Sequence, residues 1–284
     1  MAHARNPLID RTLRVALGAL AILGLSAAGP AGSAPENWNN DWCNESWSDH
    51  SRAHACEVRD VTLAGIPKVL HVEPGENGGV EVAAGIAKAF TVKARVDAWA
   101  KTEADARALL AKIRIVDDAG GLHAVGPAEN ATSNRGPSWS ASFRIEAPAA
   151  TALELSTTNG PVGVYGMNGR MLLRTQNGPI AIEGGGGDVV ARAENGPISV
   201  DLTGTRWVGR GLEARATNGP VSISIPKNYD AELEYGTLNG PWAGPRPVSK
   251  GQRDGYAYVR LGKGGAPLSV TTENGPFSLQ RTSH

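Results

Sequence analysis

Apolar and polar residues alternate along most of the chain beyond residue 57, and from residue 153 the alternation becomes a repeat. Six segments come into alignment on Asn159, Asn177, Asn195, Asn218, Asn239 and Asn274. Six positions before each Asn stand Leu153, Met171, Val189, Leu212, Leu233 and Leu268; four before stand Leu155, Leu173, Ala191, Ala214, Tyr235 and Val270. Three positions after are Val162, Ile180, Ile198, Val221, Trp242 and Phe277. Five after, Val164, Ile182, Val200, Ile223 and Leu279 continue the rule, and only Gly244 breaks it. The residues between are mainly polar, for example Glu154, Arg174, Arg192, Glu213, Arg215, Glu234 and Thr271. Each segment therefore reads as strands with one dry face and one wet face.

Every copy turns on the same tripeptide: Asn159-Gly160-Pro161, Asn177-Gly178-Pro179, Asn195-Gly196-Pro197, Asn218-Gly219-Pro220, Asn239-Gly240-Pro241 and Asn274-Gly275-Pro276. The Asn has the parity of the core positions, which predicts a side chain turned inward, where amides of successive turns form a ladder. The Gly is expected to supply a positive φ for a sharp turn, and the Pro to begin the next strand, where its missing N–H does least harm. The first intervals are 18 and 18 residues, and Asn168-Gly169, Gly184–Gly187 and Gly204 fall near half that period, at a second corner. The pattern predicts an all-β fold: a flattened parallel β-solenoid, or β-helix, of about six coils over residues 148–284. A meander of hairpins is the rival, since Asn-Gly is also a hairpin turn, but Pro in all six copies cannot donate to a partner strand. Later intervals of 23, 21 and 35 residues predict insertions at Thr205–Gly211 and Ala243–Pro267.

Upstream, residues 61–147 predict a β-rich region with one helix. Val69–Val72, Val80–Val82, Phe90–Val96, Ile113–Val116 and Ser138–Ile145 read as strands, and Asp117–Gly121 as a turn. Thr102-Glu103-Ala104-Asp105 is a helix start, and Ala106, Leu109, Leu110 and Ile113 share a face, giving a helix over about 102–113. Residues 35–60 form a polar lead-in carrying Trp38, Trp42 and Trp47, expected to pack beneath a loop against the first strands, with stacking on sugars the less common use of such residues. The first 34 residues have the order of a secretory signal: Arg5, Arg11 and Arg14, an apolar run Val15–Ala28, then small residues to Ala34. That run is shorter than the roughly 20 residues a spanning helix needs, so no stable membrane anchor is expected after cleavage.

Composition narrows the function. The chain of 284 residues carries 28 basic and 28 acidic side chains, and removing the first 34 leaves 25 and 27, a net charge of −2. A balanced chain lacks the broad positive surface that nucleic acid requires. The two cysteines, Cys43 and Cys56, lie close together in an exported chain and are expected to form a disulfide. The competing arrangement is a metal site of Cys43, His50, His54 and Cys56, whose spacing matches no common zinc module. Asp117-Asp118 is a solvated turn pair before it is a calcium site, His71 and His123 are isolated, and Gly184–Gly187 precedes a strand rather than a helix. Asn44 and Asn130 stand in glycosylation sequons, which matter only in a host with that machinery. No catalytic, cofactor or metal motif is present.

At the repeated Thr-x-Asn-Gly-Pro-Ile or Thr-x-Asn-Gly-Pro-Val corners the sequence resembles the bacterial putative-adhesin family of β-strand repeat proteins, largely a domain of unknown function. The signal, the Cys56-Glu57-Val58-Arg59-Asp60 segment and the Gly-rich approach Gly262–Gly265 also match, so the resemblance covers about 43–280. It implies a protein of the periplasm or cell surface and brings no catalytic residues with it. The expected function is thus that of an exported, noncatalytic envelope protein, an adhesin or a binding or structural scaffold, meeting an unidentified envelope polymer or surface protein. Two alternatives stand beside it: a polysaccharide-acting β-helix enzyme using outward acids such as Glu154, Glu194, Glu213, Glu234 and Glu273, and a scaffold that self-associates end to end.

Overall fold

The computed structural model describes residues 35, 38, 42–44, 52–86, 89–119, 121–128, 136–243, 252–253 and 256–283. The signal segment, Trp47, His50 and Asn130 lie outside the described residues. The fold is all-β with one α-helix and two large mixed sheets. A short 3-10 turn, Trp42–Asn44, precedes β1 (Ala53–Val61), β2 (Val69–Glu73), β3 (Val80–Ala84), β4 (Thr91–Ala100), α1 (Glu103–Leu110), β5 (Arg114–Asp118), β6 (Gly121–Val125) and β7 (Ser138–Ala147).

The helix begins where the sequence places it: the Thr102 side chain caps it by accepting from the Asp105 amide. It ends at Leu110, short of the expected 113, and Ile113 is buried with Val96 and Ala98 beside Leu109 and Leu110. β4 alternates at its start but is buried on both faces from Ala94 onward. Val92 and Ala94 meet the main core and, further along the same face, Val96 and Ala98 lie under α1, while Arg95, Asp97 and Trp99 are buried on the opposite face, where His54 meets Asp97 and Trp99.

The repeats supply β8 (Ala152–Asn159), β9 (Val162–Tyr165), β10 (Arg170–Asn177), β11 (Ile180–Glu183), β12 (Asp188–Asn195), β13 (Ile198–Asp201), β14 (Gly211–Asn218), β15 (Val221–Pro226), β16 (Ala231–Asn239), β17 (Trp242–Ala243), β18 (Gln252–Arg253), β19 (Tyr256–Leu261), β20 (Pro267–Asn274) and β21 (Phe277–Thr282). The strand before each Asn-Gly-Pro lies in an eleven-stranded sheet and the strand after it in a ten-stranded sheet. Successive rungs pair in parallel with no slip: Leu155, Leu173, Ala191, Ala214, Val270 and Tyr235 stand in one row, and so do the six asparagines. Between the sheets the aligned Val, Ile, Leu and Ala side chains form one continuous core. Each rung carries the same apolar spacing, so a one-residue slip would expose a whole row.

Two expectations about the corner are corrected. The asparagines do form a ladder, each side-chain amide donating to the next Oδ1 at 3.0–3.3 Å, but all six lie on the outside. Strand alternation stops one residue early. The residue two before the Asn is the last to point inward, and the chain bends so that two successive side chains face solvent. The inward place goes to Thr157, Thr175 and Thr272, whose hydroxyls donate to corner glycine carbonyls at 2.9–3.2 Å. A threonine there satisfies a buried carbonyl while its methyl packs, and an inward amide would carry more polar groups than the corner can pair.

The corner glycines do not take a left-handed φ; Gly219, at 159°, is extended backbone. Their role is close approach. A Cβ on Gly160, Gly178, Gly196, Gly219, Gly240 or Gly275 would sit 1.9–2.2 Å from the carbonyl oxygen of the glycine in the adjoining rung. The left-handed glycines cluster at the opposite corner, among them Gly166, Gly184 and Gly204. Proline fits as expected. Gly178 N donates to Asn195 O and Ile180 N to Pro197 O, so the ladder uses the amides either side of Pro179 and none is missed.

The rungs do not stack in chain order. The last one, β20–β21, lies between β14–β15 and β16–β17, so the Asn ladder runs from Asn218 to Asn274 to Asn239. The near end mirrors this: β2–β3 sits between β8–β9 and the later β6–β7. Asn77-Gly78 forms a seventh corner there, with Asn159 Nδ2 donating to Asn77 Oδ1. The two insertions differ in use. In Thr205–Gly211, Trp207 is buried and donates to the Gly187 carbonyl, while Ala243–Pro267 contributes β19, which pairs antiparallel with the outer edge of β16.

Candidate functional site

Identical, exposed corners make a regular ridge, and what differs from rung to rung lies on the two outer sheet faces. On the eleven-stranded sheet the position three before the Asn points outward. It is occupied in spatial order by Ser156, Arg174, Arg192, Arg215, Thr271 and Gly236. Three arginines therefore stand directly opposite one another on adjacent strands about 4.8 Å apart. Directly opposed like charges cost about 0.2–1 kcal/mol per pair, so the arrangement works against the fold. Carboxylates relieve two of the three: Arg192 pairs with Glu213 at 3.1 Å and Arg215 with Glu273 at 2.6 Å. The bond to Glu273 holds the Arg215 guanidinium above its ordinary pKa. Arg174 has no ion pair among the described residues. The ladder floors an open depression of about 390 Å³, edged by Ser156, Thr158, Gln176, Glu194 and Thr217.

The ten-stranded sheet presents a second cluster. Tyr165, Glu183 and Asp201 align on β9, β11 and β13. Tyr165 donates to Glu81 at 3.3 Å, and Glu81 pairs with Arg144 at 3.0 Å. Burial, reinforced by the Asp201 and then the Glu81 charge, raises the Glu183 carboxyl above its ordinary range. The Tyr165 phenol is pushed far up by burial first and by Glu81 and Glu183 second. The lead-in covers one end of this cluster: Trp42 stacks on the Arg144 guanidinium at 4.1 Å, and Trp38 meets Tyr165 edge-on at 6.1 Å. Trp42 and Trp38 thus pack against Arg144 of β7 and Tyr165 of β9.

Cys43 and Cys56 form the expected disulfide, with Cα atoms 5.8 Å apart. Both sulfurs are committed, which removes half the ligands of the metal arrangement. His54 instead lies 2.8 Å from Asp97 and stacks on Trp99 at 5.2 Å. Asp117 accepts from the Ala64 amide at 2.7 Å, a structural use of that acid. The sequence-predicted outward acids do not converge: Glu213 and Glu273 serve arginines, Glu154 lies 3.2 Å from His71, and Glu234 accepts from Ser269 at 2.8 Å. The acids that do come together, Glu81, Glu183 and Asp201, were not singled out by sequence. Their signal was present in Ile180-Ala181-Ile182-Glu183 and Ile198-Ser199-Val200-Asp201, where an acid recurs six residues after each Asn.

No protein-family model matches this chain, and no curated protein matches it. Among solved structures it is similar to a putative cell adhesion protein from Clostridium sporogenes ATCC 15579, at 11% identity over 81% of this chain and 100% of that one, with a TM-score of 0.41. It is also similar to a putative adhesin from Bacteroides fragilis NCTC 9343, at 9% identity over 80% of this chain and 97% of that one, with a TM-score of 0.29. Likenesses this distant say nothing about what the chain binds.

Proposed function

We propose that this is an exported, noncatalytic protein of the cell envelope, an adhesin-like binding scaffold in which residues 148–284 form a parallel β-solenoid with Asn-Gly-Pro corners. The observation that carries the reading is the slip-free parallel alignment, which lays aligned rows of polar side chains across the two outer faces, with like residues opposed on adjacent rungs at Arg174, Arg192 and Arg215. A run of like side chains on adjacent rungs suits a repeating ligand, since each step along a polymer meets the same contact. The Cys43–Cys56 disulfide fits an oxidising compartment, in accord with export to the periplasm or surface. Co-sedimentation of residues 35–284 with isolated cell wall, membranes and surface extracts tests it; failure to pellet with any fraction counts against it.

One observation favours a second reading, an enzyme acting on polysaccharide: Glu183, whose carboxyl burial raises above its ordinary range, beside Asp201 and Tyr165. Two neighbouring carboxyls, one of them raised by burial, are the pairing glycoside hydrolysis uses. Release of reducing ends from a polysaccharide panel, abolished by Glu183→Gln, would establish it, and no turnover on any member removes it.

A further inference from the structure

Resting on the envelope-binding reading, we propose that the Arg174–Arg192–Arg215 ladder is a binding site for a linear carboxylated glycan lying across the strands. Three features of the molecule lead there. Parallel pairing repeats the arginines at strand spacing, about 4.8 Å, so a chain crossing the strands at right angles meets a new guanidinium at each step. The second feature is orientation. Glu213 binds one terminal nitrogen of Arg192 and Glu273 one of Arg215, from opposite flanking rows, which fixes both planes while leaving donors open to the solvent side. Arg174 keeps its full set of donors for a carboxylate. The third is the edging: Ser156, Thr158, Gln176 and Thr217 surround the charges with neutral donors and acceptors matched to sugar hydroxyls.

The rest of the molecule offers nothing comparable. Among the described residues, the ionisable run aligned on the ten-stranded sheet, Tyr165–Glu183–Asp201, is acidic and partly covered by the lead-in. The ladder also breaks a local rule of sheet design, and such conflicts gather where function is selected over stability. Glu194 at the edge of the depression lowers its charge density. That favours one carboxylate per sugar over a densely sulfated chain.

The test uses the protein from residue 35 onward and polygalacturonate as the probe, with neutral dextran and poly(glycerol phosphate) as the other arms. Binding to polygalacturonate is expected, weakening as salt is raised. Arg174→Gln and Arg192→Gln should each reduce affinity about tenfold or more, as loss of a charge-assisted contact does. Arg210→Gln removes the same charge from the far edge of the same face, where Arg210 lies 3.5 Å from Asp188, and should change affinity less than twofold. Without ligand, Arg174→Gln should melt no lower than the wild type, because it removes an opposed like charge. Equal losses in all three variants, or none, overturn the ladder as the site. Binding to poly(glycerol phosphate) and not to polygalacturonate overturns the carboxylate assignment. If polygalacturonate does not bind while envelope fractions do, the ladder assignment falls and the envelope reading stands.

Discussion

Replacing Gly178 with alanine tests the corner more sharply than any other change. In extended backbone, Gly→Ala ordinarily stabilises by about 0.4–1 kcal/mol, because it narrows the unfolded ensemble. Here the added Cβ would lie 2.1 Å from the Gly160 carbonyl oxygen and 2.7 Å from its carbon. Both are backbone atoms in the adjoining rung and cannot rotate away. The rungs must part, at an overpacking cost of about 1–3 kcal/mol. Parting also lengthens the bonds that join these two rungs, from Gly160 N to Asn177 O at 3.2 Å and from Val162 N to Pro179 O at 2.9 Å, each worth about 0.5–1.5 kcal/mol. Weighed against the entropic gain, the expected loss is about 2–4 kcal/mol. Urea unfolding followed by circular dichroism reads it as a lower midpoint. Gly65→Ala is the control, since nothing lies within 4 Å of its Cβ, and it should hold or raise the midpoint. A Gly178→Ala midpoint equal to or above that of the wild type would refute the close-approach account.

Thr272→Val should cost about 1 kcal/mol, since it deletes the 2.9 Å bond to the Gly219 carbonyl, while the equivalent Ala193 already lacks that group; urea midpoints check both the size and the contrast with Ala193→Val. Asn177→Ala removes two bonds of a conspicuous ladder, yet they are solvent-exposed, so the loss should stay below about 1 kcal/mol and leave far-ultraviolet circular dichroism unchanged. Glu183 binds its proton more tightly in the folded protein than in the unfolded chain, so its contribution is present below the ordinary value of 4.5 and is lost as pH rises toward the folded value. Glu183→Gln should therefore raise the melting temperature at pH 7 and lose that advantage at pH 4. Reducing Cys43–Cys56 should release the lead-in and let chymotrypsin cut at Trp42, which is 8% exposed in the oxidised protein; unchanged protection would mean that stacking on Arg144 suffices.

What could be read in advance divides along a physical line. The apolar columns, the capped helix, the disulfide and the parallel alignment of the asparagines all follow from spacing, since side-chain direction in a strand has a period of two. The outward turn of the asparagines does not, because alternation describes strands and fails at a bend. Gly178 was read for its dihedral freedom, whereas its necessity comes from an atom 18 residues away in the chain. Asn77-Gly78 escaped notice because Gly79 stands where the other corners have proline, although Val80 and Val82 keep the apolar offsets. The position of β20 beyond β14 was also illegible: every rung presents the same edge, so sequence periodicity specifies register but not neighbour. The arginine ladder lies between these cases, with its members visible as polar positions and their opposition visible only once the rungs are stacked.

The interior placement of β20–β21 bears on how the molecule comes into being. That rung is not an appendix to a finished stack but the layer that joins β14–β15 to β16–β17. During synthesis, β16 emerges before the strand on which it will rest. A chain cut before residue 267 would lose more than one rung: it would strand β16 and β19 without their support and leave β14 and β15 with raw edges. The stack therefore closes only once β20 and β21 have been delivered.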